Sequence, residues 1–326
     1  MKNIPNNNIV KTKTPGIDII IVNWNTNKLL NNCLQSIQEY GETYVASTIV
    51  IDNNSYDDSQ LCAINYENVE LISLKNNLGF AKACNIGAKK ANSEYYLFLN
   101  PDTRLENGTL KNVINFMELK NSKHIGICGV QLINDSGKPS QSCSRFPSLS
   151  RHFFHAIGLN KFLPYLGSPM REWSHAETRE VDQVMGAFFL IRAKLFIDLE
   201  GFDERFFVYF EEVDLSFRAW LKGYKSIFLS ECQAYHLGGG SSNIVKAKRV
   251  FYSERSRILY AFKYYTPFRC VCTLIISLLI EPITRTIFSL LIFSWKNLTE
   301  GWIAYFMLIS WIPNLFKKEF RIRHSG

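Results

Sequence analysis

The sequence predicts an α/β fold built on a largely parallel sheet. Short apolar runs rich in β-branched and aromatic residues recur at Ile17–Asn23, Thr48–Asp52, Val69–Leu74 and Tyr95–Leu99. Between them lie segments with helical spacing, and strands alternating with helices imply βαβ units. A further observation is where the runs stop. Tyr95–Leu99 ends abruptly at Asn100-Pro101-Asp102-Thr103, and Thr48–Asp52 ends in a carboxylate. In open α/β sheets, ligands bind just beyond the carboxyl ends of the strands.

Taken in order, residues 1–16 read as a disordered, Asn-rich lead. Ile17–Asn23 (IDIIIVN) is a buried strand by composition. Asn25–Tyr40 places Leu29, Leu30, Leu34 and Ile37 at helical spacing. After Thr48–Asp52, the cluster Asn53–Asp58 is a turn leading into a short helix. Val69–Leu74 is a third strand, Asn76–Gly79 a loop, and Phe80–Ala91 a helix of small residues. Tyr95–Leu99 is the fourth strand, ended by Pro101, which has no ladder donor. Beyond it, Leu110–Leu119 reads as a helix and Ile125–Ile133 as a strand closed by the turn Asn134–Gly137. Gln141–Arg179 is poorly patterned and contains Pro147, Pro164 and Pro169, as a functional loop or lid often does. Val181–Ile191 is strand-like around Gly186, and a glycine there marks close approach of a ligand or another backbone.

The first hundred residues thus look like the nucleotide-binding half of a doubly wound fold. No GxGxxG follows the first strand and no GxxxxGK[ST] occurs, which argues against dinucleotide oxidoreductases and P-loop enzymes. Eight scattered cysteines without a CxxC pair, and no visible signal peptide, favour reduced thiols in a cytosolic setting. Charge is unevenly placed. From Asn243 onward there are 13 Lys and Arg against 4 acidic residues, a net +9, whereas the first 242 residues carry 24 against 25, a net −1. A near-neutral body with a basic tail points to an anionic membrane surface and not to nucleic acid. In that tail, Leu274–Phe293 is apolar but interrupted by Glu281, Pro282 and Arg285. Trp302–Phe316 is a second apolar stretch followed by Lys317, Lys318, Arg321 and Arg323. Both fall short of an uninterrupted span of about 20 residues. Helices packed on the body and interfacial or re-entrant membrane helices are the two readings, and the basic flanks favour the second.

Two places carry candidate chemistry. Asp102 stands at the end of a strand, where a carboxylate can hold a hard divalent cation beside a diphosphate. His236 follows a strand-like segment and precedes Gly238-Gly239-Gly240, and an imidazole can share such a cation with a carboxylate. Glu211, Glu212 and Asp214 precede a helical pattern with Arg218 alongside. At a helix N-terminus the macrodipole stabilises carboxylates, and one of the three is suited to deprotonate a sugar hydroxyl.

With these residues assembled, the chain resembles the inverting family 2 glycosyltransferases of GT-A fold, in their rhamnosyltransferase-like branch. The matching pieces are IVNWNT at Ile21–Thr26, IDNNS at Ile51–Ser55, NNLGFAKACNIG at Asn76–Gly87 and LFLNPDT at Leu97–Thr103. GAFFLIR at Gly186–Arg192, GFDERFFVYFEEVDLSFRAWLKGY at Gly201–Tyr224 and HLGGGSS at His236–Ser242 follow in the family's order. The resemblance, which covers roughly Ile17–Ser242, implies a catalytic domain over 17–242, with a nucleotide-binding half (17–103) and an acceptor half (104–242); the charge and apolar pattern read above make 243–326 a membrane-associating helical tail. It implies that Val22 and Asn23 line the nucleotide pocket, that Asp52 bonds the base, and that Asn77, Gly79 and Asn85 shape the pocket near base and ribose. Asn100 and Asp102 match the family's metal-binding acidic motif, and His236 completes that site for Mn²⁺ or Mg²⁺. Glu212 stands where the family usually has an Asp, the general base, with Asp214 as the fallback. Gly186, Ala187, Glu211 and Arg218 would border the acceptor. The implied reaction moves a sugar from a nucleoside-diphosphate sugar (dTDP-rhamnose or a UDP-sugar) to a hydroxyl of a glycan or lipid-linked glycan, at the cytoplasmic face of the inner membrane. Other readings of the same residues are a retaining or phosphoester-forming nucleotidyl-sugar enzyme, or an inactive nucleotide-sugar-binding module. Release of nucleoside diphosphate in the presence of acceptor separates these classes.

Overall fold

A computed structural model describes residues 16–238 and 246–324. The lead, Gly239–Ser242 of the glycine run, and the side chains from Lys318 onward lie outside the described residues. The strands and helices of the first hundred residues are β1 (Ile17–Asn23), α1 (Lys28–Tyr40), β2 (Val45–Asp52), β3 (Val69–Ser73), α2 (Phe80–Ala88) and β4 (Tyr95–Leu99). The next elements are β5 (Thr103–Leu105), α3 (Thr109–Met117), β6 (Ile125–Ile133), β7 (Cys143–Ser144), α4 (Leu149–Ala156), β8 (Arg179–Val181) and β9 (Gln183–Val184). They are followed by β10 (Phe188–Arg192), α5 (Ala193–Asp198), α6 (Glu211–Leu221) and β11 (Lys225–His236). The tail is helical: α7 (Lys246–Tyr264), α8 (Pro267–Ile275), α9 (Glu281–Leu291) and α10 (Trp295–His324).

The main sheet runs β3-β2-β1-β4-β10-β6-β11-β5, with β8 paired to β11. The pairs among β1, β2, β3 and β4 are parallel, as are β6 and β11, while β10 lies antiparallel between β4 and β6. The apolar runs are continuous because both faces of the sheet are covered. Ile17, Ile19 and Ile21 of β1 enter one buried cluster with Leu30, Leu34 and Val113, whereas Ile20 and Val22 enter the other with Ala83, Phe196 and Leu215. The single acid inside β1, Asp18, is buried and fully used. It accepts from Ser47 Oγ at 2.6 Å and from the backbone N–H groups of Asn92 and Ser93 at 2.7 and 2.8 Å.

Three expectations are corrected. Val181–Ile191 is not one strand but three short pieces, and Gly186 sits in the link before β10. A Cβ added at Gly186 would meet nothing within 4 Å, so no backbone presses on it. Gln141–Arg179 is not shapeless. It carries α4, whose first turn is capped by Ser148 Oγ accepting from Arg151 N at 3.3 Å. The first apolar tail stretch is also longer than its interruptions suggested. Pro267–Leu291 is one continuous 25-residue helical rod. Pro282 has no N–H to return to the preceding turn, and Ile276–Ile280 just before it opens into wider π-type turns.

One close approach joins the two halves. Gly79 has φ +86°, and a Cβ there would lie 2.4 Å from the Phe207 carbonyl oxygen. That carbonyl accepts from Phe80 N at 2.6 Å, docking the loop ahead of α6 onto the start of α2. Gly79→Ala should therefore lose about 1–2 kcal/mol or more from left-handed backbone strain and the clash. That loss lowers the thermal midpoint by several degrees. An unchanged melting temperature in calorimetry would show that the Phe207 loop does not seat on Gly79.

Candidate active site

The site lies at the carboxyl ends of β1, β2 and β4. At its floor, Asn23 and Asp52 hold each other. Asn23 Nδ2 donates to Asp52 Oδ1 at 2.9 Å and to Ser59 Oγ at 2.9 Å, and Ser55 N donates to Asp52 Oδ2 at 3.1 Å. These bonds fix the loop after β2 against the end of β1. Asn53 Oδ1 then accepts from Leu78 N at 2.8 Å, and Asn77 Oδ1 accepts from Asn53 Nδ2 and Gly79 N. Val22 is buried in the core beneath this floor. Asn85 stands apart from it. Its amide donates to the Phe202 carbonyl at 2.8 Å and accepts from Phe202 N at 2.9 Å, so it clips α2 to the Gly201–Phe202 turn. The pocket-shaping role expected for Asn85 is corrected to that of a clip between the halves.

Asp102 and His236 meet because β5 and β11 pair antiparallel, with Thr103 opposite His236. His236 Nε2 lies 3.3 Å from Asp102 Oδ1, and both side chains are about nine-tenths covered. Asn100 N donates to the Ala187 carbonyl at 3.0 Å, which ties the Asn-Pro-Asp turn to the segment that also holds Gly186. Thr103 Oγ1 donates to the same carbonyl. A carboxylate oxygen and an imidazole nitrogen on one rim form a donor pair suited to a divalent cation, with a diphosphate supplying further oxygens.

The acidic cluster opens α6, as its sequence placement predicts. Tyr209 and Phe210 just before it both have positive φ, 66° and 72°. Two consecutive non-glycine residues in the left-handed region are costly, and such strain persists only where surrounding structure holds it. The hold comes from α7. Tyr252 stacks on Phe207 with ring centroids 4.7 Å apart, and Ser256 Oγ donates to the Val208 carbonyl at 2.9 Å. Glu211 is buried and Glu212 half-buried, and an Oε2 of each is enclosed without a hydrogen-bond partner among the described residues. Burial raises both above the usual glutamate range, and the Glu212 charge adds to the rise at Glu211.

Asp214 does not share that environment, and its fallback role as base is corrected. It is 0% exposed. Arg218 Nε donates to its Oδ2 at 2.7 Å, while Lys263 Nζ and Tyr264 OH donate to its Oδ1 at 2.5 and 2.6 Å. A carboxylate enclosed by two cations and a phenol has no oxygen left for an acceptor hydroxyl. Arg218 is likewise corrected from an acceptor contact to a brace, since its other nitrogens donate to the Leu199 and Gly201 carbonyls at 2.5 and 2.8 Å. Lys263 also bonds Asp203 Oδ2 at 2.7 Å. Burial alone would raise Asp203, but the hydrogen bonds from Arg205 and Lys263 hold it well below the usual range.

Lys263, Tyr264 and Asp203 escaped the sequence reading. Nothing in the pattern of α7 links it to residues fifty positions earlier. A second missed group joins His152, Glu254 and Glu281, whose donor atoms lie within 4.8 Å of one another. Metal ligation is a poor use of it. Arg257 contacts both carboxylates and Arg285 Nη2 sits 2.7 Å from Glu281. Burial holds His152 neutral, near 4. Two acids are thus balanced by two guanidiniums.

Residues 18–199 match the family described as glycosyl transferase family 2. The chain belongs to glycosyltransferase family 2. This glycosyltransferase is 30% identical over 230 residues to the rhamnosyltransferase WbbL of Escherichia coli K12, covering 67% of this chain and 82% of that protein. It is 26% identical over 238 residues to N-acetylglucosaminyl-diphospho-decaprenol L-rhamnosyltransferase of Mycobacterium tuberculosis, covering 68% and 76% of the two. These matches make it rhamnosyltransferase-like. Among solved structures, the mannosyltransferase PcManGT of Pyrobaculum calidifontis, with GDP-Man and Mn²⁺, superposes with a TM-score of 0.55. The match has 14% identity and covers 94% of this chain and 89% of that one. At that identity the likeness speaks for the shared GT-A fold.

The α7 clamp on Asp214 generates a prediction. Lys263→Met should destabilise the family 2 glycosyltransferase by about 1.5–3 kcal/mol, the range for a hydrogen bond to a charged group, and Tyr264→Phe by about 1 kcal/mol. Denaturant midpoints with unaltered slopes would read this. Wild-type midpoints in both variants would mean that α7 does not hold Asp214.

Proposed function

We propose that this family 2 glycosyltransferase transfers a sugar, with inversion, from a nucleoside-diphosphate sugar to a hydroxyl of a glycan or lipid-linked glycan in cell-surface polysaccharide synthesis. The observation that carries this reading is the pair of sites with different chemistry. A carboxylate–imidazole pair stands at the strand ends beside the nucleotide loop, and enclosed glutamates with raised pKa stand at the start of α6. The names of the two rhamnosyltransferase relatives support rhamnose as the sugar moved, from dTDP-rhamnose in this reading or else from a UDP-sugar donor, and the decaprenol-linked name of one supports a lipid-linked acceptor.

In this reading Asn23, Asp52, Asn77 and Gly79 form the floor and wall against which base and ribose rest. Asp102 and His236 would hold Mn²⁺ or Mg²⁺, with Asn100 beside them. When bound, such a cation neutralises charge that develops on the departing diphosphate. Glu212 takes the proton from the acceptor hydroxyl, whose oxygen attacks the anomeric carbon from the face opposite the leaving group. One displacement inverts the centre, so no covalent nucleophile is required. Glu212 is favoured over Glu211 as base because Glu211 is 5% exposed and Glu212 is the more accessible of the two. Glu211, with its raised pKa, sits beside the acceptor, and Gly186 and Ala187 border it with open space over Gly186.

Two outcomes follow. Glu212→Gln should lower kcat by about 10²–10⁴-fold with donor affinity near normal, and Glu212→Asp should retain more activity than Gln. The base works deprotonated and burial raises its pKa. The acidic limb of the kcat profile should therefore lie above the ordinary glutamate value, activity falling as pH drops through it. A Gln variant with full turnover would remove Glu212 from the chemistry. Separately, Asp102→Ala and excess chelator should each abolish transfer, with Mn²⁺ or Mg²⁺ restoring only the chelated wild type. Full turnover in chelator would remove the metal from the mechanism.

A further inference from the structure

The rod formed by α8, the π turns and α9 has two unlike faces. Outward, Phe268, Val271, Ile275, Leu279, Ile283 and Ile287 recur every three or four residues and are all exposed, Phe268 by 75%. At 1.5 Å per residue, that stripe runs about 29 Å along the rod. It continues into Phe293, 91% exposed, and α10 beside it shows Trp302, Phe306 and Ile309. Single exposed apolar side chains are ordinary, but a continuous row of this length marks an interaction surface.

Inward, the same rod is polar and spoken for. Glu281 is buried against Arg257 and bonded by Arg285 Nε at 2.9 Å. Ser277 Oγ donates to Glu254 at 3.0 Å, and Thr284 Oγ1 donates to the Ala156 carbonyl at 2.6 Å. These contacts fasten the rod along its middle to α7 and α4. The rod is long and apolar enough to cross a bilayer. Crossing would strip Glu281 from Arg257 and carry Glu281 and Arg285 into hydrocarbon, where ionised side chains are expensive.

We propose that Pro267–Leu291 lies in the plane of an anionic bilayer, its Phe268–Ile287 stripe sunk at the headgroup–acyl boundary and its Glu281 face turned to the protein. A helix apolar on one side and charged on the other takes this position. Charge complementarity selects a bilayer over a second protein surface. The tail from Asn243 carries +9, and Arg269, Lys296 and Lys317 on these helices are exposed. Exposed Trp295 and Trp302 suit the interfacial layer. The proposal goes beyond the sugar-transfer reading and does not rest on it.

The test uses the full chain and flotation on phosphatidylcholine vesicles with and without roughly 30% phosphatidylglycerol, a typical anionic load. Expected is flotation on the anionic vesicles, weaker on the neutral ones, and a loss of roughly tenfold or more in Leu279→Glu/Ile283→Glu/Ile287→Glu. The three positions are exposed, so the variant should keep its melting temperature and nucleoside-diphosphate binding. Depth is read from nitroxides on Phe268→Cys, Leu279→Cys and Leu291→Cys, with Cys62 and Cys272 replaced by serine. All three labels should sit at one shallow depth. Equal flotation of the triple variant, or equal flotation on both lipid compositions, would overturn the proposal. So would a central Leu279 label between ends at opposite surfaces. A dimer abolished by the triple substitution, with no vesicle binding, would instead make the stripe an interface between two copies.

Discussion

The buried Asp214 carboxylate is the interaction on which the acidic end of the molecule depends. Its three donors come from two elements: Arg218 one turn along α6, and Lys263 and Tyr264 at the end of α7. A carboxylate with no exposure is tolerable only while it is fully paired. That requirement fixes the first turn of α6 against α7, and so fixes where Glu211 and Glu212 stand. Arg218 passes the constraint on to the Leu199 and Gly201 carbonyls, and Asn85 passes it from the Gly201–Phe202 turn to α2. The N-terminal strands and the acidic helix are therefore held in one frame, with Gly79 as the place where their backbones touch.

The same frame explains the division of labour among carboxylates. Asp52 is satisfied by Asn23 and Ser55, Asp102 faces His236 on the rim, and Asp214 is spent on the frame. Of the carboxylates, only Glu211 and Glu212 keep an enclosed oxygen without a hydrogen-bond partner among the described residues. Groups whose environments push their pKa upward inside a site are candidates for proton transfer. The tail contributes twice. Its first helix braces α6, and its next two carry an apolar face on one side and a balanced charge cluster on the other.

How much of this was legible in the sequence depended on the range of the interaction. β1, β4 and β6 were readable to the residue because a run buried on both faces announces itself without knowledge of its partners. Asp102 and His236 were readable as a pair because each stands at the end of a strand-like run. Asp214 was misread because its meaning lies in Lys263 and Tyr264, and no local pattern connects them. Arg218 and Asn85 were misread likewise, since their partners are backbone carbonyls at Leu199, Gly201 and Phe202. Glu281 and Arg285 looked like interruptions of an apolar stretch. They are an i,i+4 pair on the inner face of a continuous helix, and only the packing of α4 and α7 reveals that face.

We propose a single displacement assisted by a carboxylate on α6, and the stereochemistry of the first product is its sharpest test. With a nucleoside-diphosphate sugar that supports turnover and its acceptor, proton NMR of the newly formed linkage reports the anomeric configuration before any equilibration. A single displacement gives the anomer opposite to that of the donor. A product that keeps the donor's configuration would require a covalent nucleophile or a front-face mechanism, and would contradict it.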